Sequence, residues 1–294
     1  MDFFGGEPAP FKFNFGDATQ PGGSFGTAAE TGTVQALPAE EITIATGRPV
    51  GENEEELETV HIGPGLQLVK KRPRNAGIVL GDQTITDSDL KAGEYEGGFK
   101  LWECAVDLTA HLREECESGK LSLQGANVLE LGCGHGLPGI FSLLQGADGV
   151  VLQDYNREVL EELTIPNVEA NLARHLLSSP SEPPAVEGAV RYLAGDWGLL
   201  DPLLPPRSFD LVLTTDTIYN TASQPKLFAL IKHCLKREGG IALVAQKSYY
   251  FGVGGSIHQF EEMVRQDGEM KIEMVQTFAD GSSNVRAILK LSFC

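Results

Sequence analysis

The stretch Asn127-Val-Leu-Glu-Leu-Gly-Cys-Gly-His-Gly-Leu-Pro-Gly139 decides how the chain folds. Val128, Leu129 and Leu131 form a short apolar run that suits a buried strand. Glycines follow at 132, 134, 136 and 139, and an apolar helical stretch continues from Ile140 to Gln145. Glycine serves a turn that takes unusual backbone angles while leaving room for a ligand. Pro138 stands where a first helical turn tolerates proline, since that backbone N–H has no partner in a helix anyway. The order is strand, glycine turn, helix N-terminus, which is the layout of a nucleotide-cofactor loop.

Two patterns compete for this loop, beside a tight turn that holds nothing. Gly134-x-Gly136-x-x-Gly139 fits the dinucleotide fingerprint, and Asp154 lies twenty residues after Gly134, where a ribose-binding acid belongs. With 34 glycines in the chain that match is weak by itself. The other pattern, Glu130-x-Gly132-x-Gly134-x-Gly136, resembles the first motif of the class I S-adenosylmethionine-dependent methyltransferases.

The 294 residues allow one large domain with tails, and 41% hydrophobic content supports a sizeable core. No run approaches eighteen consecutive apolar residues, so no membrane helix is expected. The start MDFFGGEPAP lacks the basic opening and apolar core of a secretory signal. Five scattered cysteines, odd in number and without a C-x-x-C pair, point to a reduced compartment with neither disulfides nor a structural metal. Net charge is −18, and residues 1–60 carry eleven acidic against two basic side chains, which is −9. Such acidity disfavours direct binding to nucleic acid and favours a basic partner, or solubility alone.

Residues 1–60, rich in Gly, Pro, Ala, Thr and Glu, are expected to be a disordered acidic tail, with Phe11-Lys-Phe-Asn-Phe15 as a possible docking strand. Residues 61–294 form the expected domain, with 61–98 as an extension and 99–294 as the core. Lys70-Lys-Arg-Pro-Arg74 resembles a simple nuclear import signal, against a solvated basic loop. Trp102, Ala105, Val106, Thr109 and Leu112 share a helical face. Beyond the loop come a buried strand ending in Asp154, a helix from Arg157 to Arg174 interrupted near Pro166, and a strand Val190 to Ala194 running into Gly195-Asp196-Trp197. An acid and an aromatic at a strand end suit an amino group and a base, or else a helix cap and a core ring. Then follow the strand Phe209 to Asp216, a helix Pro225 to Lys236, a strand Ile241 to Ala245, a helix Ser256 to Gln266, and two alternating strands, Met270 to Phe278 and Val285 to Phe293. The alternation predicts an α/β, Rossmann-like doubly wound sheet of seven strands with a reversed C-terminal edge strand. Ending on a hairpin rather than on parallel units favours the methyltransferase pattern over the dinucleotide one.

From about residue 94 onward the chain resembles class I methyltransferases that modify proteins, in the branch with an acid-x-x-Tyr motif after the fourth strand, here Asp216-Thr-Ile-Tyr219. Within that branch YEGGFKLWEC (95–104), LQDYN (152–156), TIPNV (164–168), AGDW (194–197), TIYN (217–220) and YFGVGG (250–255) are similar to the histidine protein methyltransferases. The resemblance implies S-adenosyl-L-methionine as cofactor and a histidine of a basic large-subunit ribosomal protein as acceptor. It implies work in the cytoplasm and nucleus, the nucleolus included; a monomer is the default expectation. Carried onto this sequence, Leu101, Trp102, Glu103, Cys104 and Ala105 line the methionine and adenosine side, with Glu130, Gly132 and Gly134 at the loop. Asp154, Tyr155 and Asn156 take the ribose and adenine edge, Gly195, Asp196 and Trp197 hold the adenine, and Thr215 backs the reactive end. His135 stands where a small polar residue is commoner, which speaks against a direct role for it.

Methyl transfer from a sulfonium to imidazole is an in-line displacement, and imidazole, with a reference pKa of about 6.5, is largely neutral at physiological pH. Orientation, tautomer choice and exclusion of water are then what a site must supply. Asp216 is expected to accept one ring N–H, and Tyr219 to stack on or hydrogen-bond the ring; the plainer alternatives are a helix-capping Asp and a core Tyr. Asn220, Gly252, Gly254 and Gly255 are expected to shape the substrate channel. A lysine methyltransferase of the same fold, or a non-catalytic module binding a basic ribosomal protein, stand beside this expectation.

Overall fold

The computed structural model describes residues 36–44, 56–72, 78–80, 83–85, 90, 93–178, 189–250, 254–279 and 285–294. Phe11 to Phe15, Glu52 to Glu55, Gly252 and most of the 178–188 loop lie outside the described residues. In chain order the strands are β1 (Glu40–Glu41), β2 (Leu57–Gly63), β3 (Leu66–Lys71), β4 (Ile78–Leu80), β5 (Gln83–Ile85), β6 (Asn127–Leu131), β7 (Gly149–Asp154), β8 (Val190–Ala194), β9 (Leu211–Thr215), β10 (Ile241–Lys247), β11 (Met270–Phe278) and β12 (Arg286–Phe293). The helices are α1 (Glu103–Glu117), α2 (Leu137–Leu144), α3 (Arg157–Val159), α4 (Ile165–Ser178), α5 (Gln224–Cys234) and α6 (Ile257–Asp267).

The main sheet runs β1-β8-β7-β6-β9-β10-β12-β11. Its five central strands are parallel and read as near-continuous apolar runs because helices cover both faces. One core packs α1, α2 and α4 residues such as Leu108, Ile140 and Val168 against the sheet; the other packs Leu227, Ile231, Phe260 and Val264 of α5 and α6. The loops leaving β6, β7, β8 and β9 therefore converge at one sheet end, where ligands bind in open α/β folds.

Two expectations are corrected. The sheet has eight strands, because Glu40↔Ala194 and Glu41↔Leu193 pair antiparallel at one edge, so part of the 1–60 segment is structured and belongs to the domain. The reversed strand is β12, but it lies between β10 and β11; the outermost strand is β11, parallel to the core. Alternation identifies a hairpin but not which arm meets the sheet. Here β12, with Ala287, Ile288, Leu289 and Leu291 buried, takes the inner place and the more polar β11 the rim.

The β2–β3 hairpin, which begins within the 1–60 segment and continues into the extension, is held on α4 by two buried amides. Asn171 accepts the Val69 N–H at 2.9 Å and donates to its carbonyl at 2.7 Å, while Asn167 accepts the Lys71 N–H at 2.6 Å. Lys70 and Lys71 are thus strand residues, with Lys70 paired to Glu58 at 2.7 Å, while Pro73 and Arg74 of the basic run lie outside the described residues. The helix interruption near Pro166 is a π-helical turn, Leu160–Thr164, between α3 and α4. It turns Thr164 so that its hydroxyl donates to the Gly134 carbonyl at 2.6 Å, a local irregularity serving a loop end.

Candidate active site

A cleft of about 240 Å³ opens where those loops converge. Its floor is the glycine turn. At Gly132 the backbone sits at φ 64°, and an added Cβ would lie 2.6 Å from Thr217 Cγ2, so only glycine fits there. Glu130, near the end of β6, is fully buried and accepts the Gly139 N–H at 2.8 Å with one oxygen while the other has no partner among the described residues. Burial pushes its carboxyl up to about 8, so at neutral pH it is held as the uncharged acid. Glu130 supports the turn from beneath and does not line the cleft.

The N–H groups of the turn are largely spoken for within the protein. Gly132 donates to Gln153 Oε1 at 3.2 Å, Cys133 to the Gln153 carbonyl at 2.8 Å, Gly134 to Asp154 Oδ2 at 2.9 Å, and Gly136 to the Cys133 carbonyl at 2.7 Å. A pyrophosphate needs such amides free. The cleft also brings together four carboxylates, Glu96, Asp154, Asp196 and Asp216, against the ammonium groups of Lys100 and Lys226. Lys226 is itself paired with Asp196 at 2.8 Å. Burial raises the carboxyls of Glu96 and Asp216, and takes that of Asp154 up to about 6. This donor set suits a cationic ligand and opposes a diphosphate.

Asp216 follows β9 and is a non-glycine residue at φ 53°, a conformation that costs energy and concentrates at functional sites. Its backbone N–H binds the Ala245 carbonyl at 2.9 Å. Oδ2 accepts the Cys104 N–H at 3.3 Å, and Oδ1 accepts the Tyr250 hydroxyl at 2.7 Å. The carboxylate therefore caps the start of α1 from across the cleft while still lining it, so the capping role and the cleft role coexist. The Tyr219 hydroxyl donates to Glu96 Oε2 through a short hydrogen bond, and its ring meets Tyr250 edge-on at 6.2 Å. Two tyrosine–carboxylate pairs thus stand side by side, with Glu96, Tyr219 and Asp216 lining the cleft and Tyr250 behind them.

A family model described as "Lysine methyltransferase" matches residues 85–260, which contain every one of these groups. The chain belongs to this methyltransferase family. Among curated relatives, the histidine protein methyltransferase 1 homolog of Dictyostelium discoideum is 44% identical over 211 residues, 72% of this chain and 62% of that protein. The homolog of Rattus norvegicus is 34% identical over 73% of this chain and 62% of its own length. The protein N-lysine methyltransferase METTL21A of Mus musculus is 35% identical over 149 residues, 51% of this chain and 61% of that protein. The matched part of the chain therefore spans about three fifths of the length of these relatives.

Membership of this family implies S-adenosylmethionine as cofactor, and the cleft fits it. The acidic lining suits the sulfonium and amino group, Leu101, Trp102, Ala105 and Trp197 offer apolar walls, and the Gly132 cradle admits close approach. Of the residues expected from the sequence, the structure gathers Leu101, Trp102, Ala105, Gly132, Gly134, Asp154, Tyr155, Asp196, Trp197, Thr215, Asp216, Tyr219 and Asn220 around this cleft. Others stand behind the methyltransferase's cleft wall. Glu103 is exposed and pairs with Lys247 at 2.8 Å, Cys104 offers its backbone to Asp216, and Gly195 faces the segment before β1. Asn156 is buried, donating to the Glu94 carbonyl at 2.7 Å and accepting the Glu96 N–H at 3.1 Å, so it holds the YEGG turn rather than an adenine edge. Gly254 bridges to Asn220 and Gly255 donates to the Tyr219 carbonyl at 2.9 Å, so this loop braces Tyr219 from outside the cleft.

Four side chains of the site receive no role from the motifs that contain them. Glu96 and Tyr250 take theirs as partners of Tyr219 and Asp216. Thr217 packs against Gly132 and hydrogen-bonds Thr214 at 2.7 Å. His135 donates from Nε2 to the Phe99 carbonyl at 3.1 Å, and Asn167 donates to the His135 carbonyl at 3.0 Å. Burial lowers the imidazole to about 4, so His135 is a neutral brace between the YEGGF turn, the glycine loop and α4.

Proposed function

We propose that this methyltransferase is an S-adenosylmethionine-dependent protein-histidine N-methyltransferase whose acceptor is a basic protein of the large ribosomal subunit. The observation that carries the histidine assignment is the pattern of relatives: those named for histidine match 61–73% of the chain, whereas the lysine-named ones match 50–51%. The acidic cleft and the −18 charge favour a basic acceptor protein. On this reading the protein works in the cytoplasm and nucleus, as a monomer, without contacting nucleic acid.

The cofactor supplies an electrophilic methyl group on a sulfonium. Asp216, held by Tyr250 and Cys104, accepts the N–H of one imidazole nitrogen, which fixes the tautomer and turns the other lone pair toward the methyl. As the ring becomes cationic, that carboxylate stabilises the developing charge. Tyr219, fixed by Glu96 and edged against Tyr250, positions the ring or its peptide, and Trp102 shields the reacting end from water.

The family description and METTL21A favour lysine as the second reading. Chemistry separates the two. A lysine must lose a proton with a reference pKa of about 10.4, and the carboxylates of this cleft would hold it charged; an imidazole is already neutral near pH 7. The pH dependence of kcat/KM tests this. A histidine acceptor predicts a rise through about pH 6 to 7 and a plateau above. A rate still climbing about tenfold per pH unit between 8 and 9.5 would point to lysine.

A further inference from the structure

The cofactor cleft is closed at one end by a segment far away in sequence. Residues 36–42 run antiparallel along the β8 edge: Glu40 and Glu41 pair with Ala194 and Leu193, and the Ile42 N–H binds the Tyr192 carbonyl at 2.9 Å. Past the end of β8 the contact continues where a ligand would lie. The Asp196 N–H donates to the Leu37 carbonyl at 3.1 Å, Leu37 is also hydrogen-bonded through its backbone to Tyr155, and Ala36 lines the cleft beside Tyr155, Asp196 and Trp197. Gly195 shows how closely the two segments fit. It sits at φ 115°, and a Cβ there would fall 2.4 Å from the Pro38 carbonyl oxygen and 2.8 Å from Ala39 Cα. Arg157 binds Glu40 at 2.7 Å, Arg191 grips both Glu41 carboxylate oxygens at 2.8 Å, and Ile42 is buried in the core.

We propose that residues 36–42 form a strap that completes the adenosine end of the cofactor site, so that this acidic segment is a binding element for the cofactor. The strap bonds Asp196, meets Tyr155 and shares the cleft wall with Trp197, the residues that flank that end, and so adds a wall beyond the β8 edge. Ordering it around a bound adenosine buries the ligand; releasing it opens the cleft to solvent at Trp197. The Gly195 fit and the paired glutamates are its fastenings, and the glutamates point away from the ligand toward Arg157 and Arg191. The proposal depends on the cofactor alone and stands or falls apart from the identity of the methyl acceptor.

The test uses the full chain and S-adenosylhomocysteine, read by titration calorimetry and by hydrogen exchange of the 36–42 amides, with no turnover involved. In the wild-type protein the ligand is expected to slow exchange of those amides. Glu41→Arg sets like charges against Arg191 and is expected to speed their exchange and raise Kd by about three- to tenfold. The double variant Glu41→Arg/Arg191→Glu restores the opposite charges and is expected to return Kd to within about twofold of wild type, which a general folding defect would not do. Gly195→Ala, whose Cβ displaces Pro38, is expected to raise Kd by at least roughly tenfold. Free exchange of the strap amides in Glu41→Arg with Kd unchanged, or no ligand protection in the wild type, would overturn the proposal.

Discussion

Replacement of Asp216 by asparagine is expected to slow methyl transfer by about 10²- to 10⁴-fold while leaving cofactor affinity within about threefold. Asparagine is the informative substitution because it tolerates the left-handed backbone that Asp216 adopts at φ 53°, so the loop after β9 keeps its path. It also keeps an acceptor oxygen for the Cys104 N–H, preserving the cap of α1. What it removes is the negative charge facing the imidazolium that forms. Single-turnover rates with saturating cofactor, paired with calorimetric Kd values, separate these effects. A rate within threefold of wild type would reduce Asp216 to a helix cap. Loss of rate and of affinity together would instead indicate collapse of the α1 start.

The second large effect is expected at the glycine turn. Gly132→Val places a branched side chain at φ 64° and drives its Cβ against Thr217 Cγ2. The left-handed conformation alone costs roughly 1–2 kcal/mol for such a residue. Thr217 cannot retreat freely, because its hydroxyl is bonded to Thr214 and to Gln246 Nε2 at 3.2 Å. The displacement therefore reaches Asp216 and Tyr219 on one side and Trp197, 3.7 Å from the same Cβ, on the other. Cofactor Kd is expected to rise by at least about a hundredfold, close to 2.7 kcal/mol. Gly239→Val is the control: its φ is 73° but nothing lies within 4 Å of the new Cβ, so it should lower Tm and leave Kd unchanged. Similar Kd values for both variants would show that the Gly132 contact has no special bearing on the cleft.

Much of this molecule is legible in its residues because its centre is local. The strand–turn–helix at 127–144 announces itself through a short apolar run, spaced glycines and Pro138, all within eighteen residues. The parallel strands β7 to β10 read as apolar runs because they are buried on both faces, and Asp154 and Asp216 are legible as acids at strand ends. What stays hidden is non-local. The strap at 36–42 shows no period and is defined by pairing with residues about 150 positions away. Tyr250 matters through a hydroxyl that meets Asp216 across 34 residues, and Glu96 through a carboxylate that accepts the Tyr219 hydroxyl across 123. Asn156 carries the opposite lesson. Its place after the ribose acid suggests a cofactor ligand, yet its amide is consumed by the Glu94–Glu96 backbone. His135 was distinguishable as a departure from the motif, but only its partners, Phe99 and Asn167, explain why a ring stands there.

Whether the acceptor is an imidazole is read most directly from the chemical identity of the methylated residue. The protein is incubated with radiolabelled S-adenosylmethionine and separated large-subunit ribosomal proteins, and the labelled band is hydrolysed to amino acids. Methylhistidine in one basic protein, absent with Asp216→Asn, is the expected result. Label recovered as methyllysine would contradict the assignment of the acceptor while leaving the fold and the cofactor cleft in place.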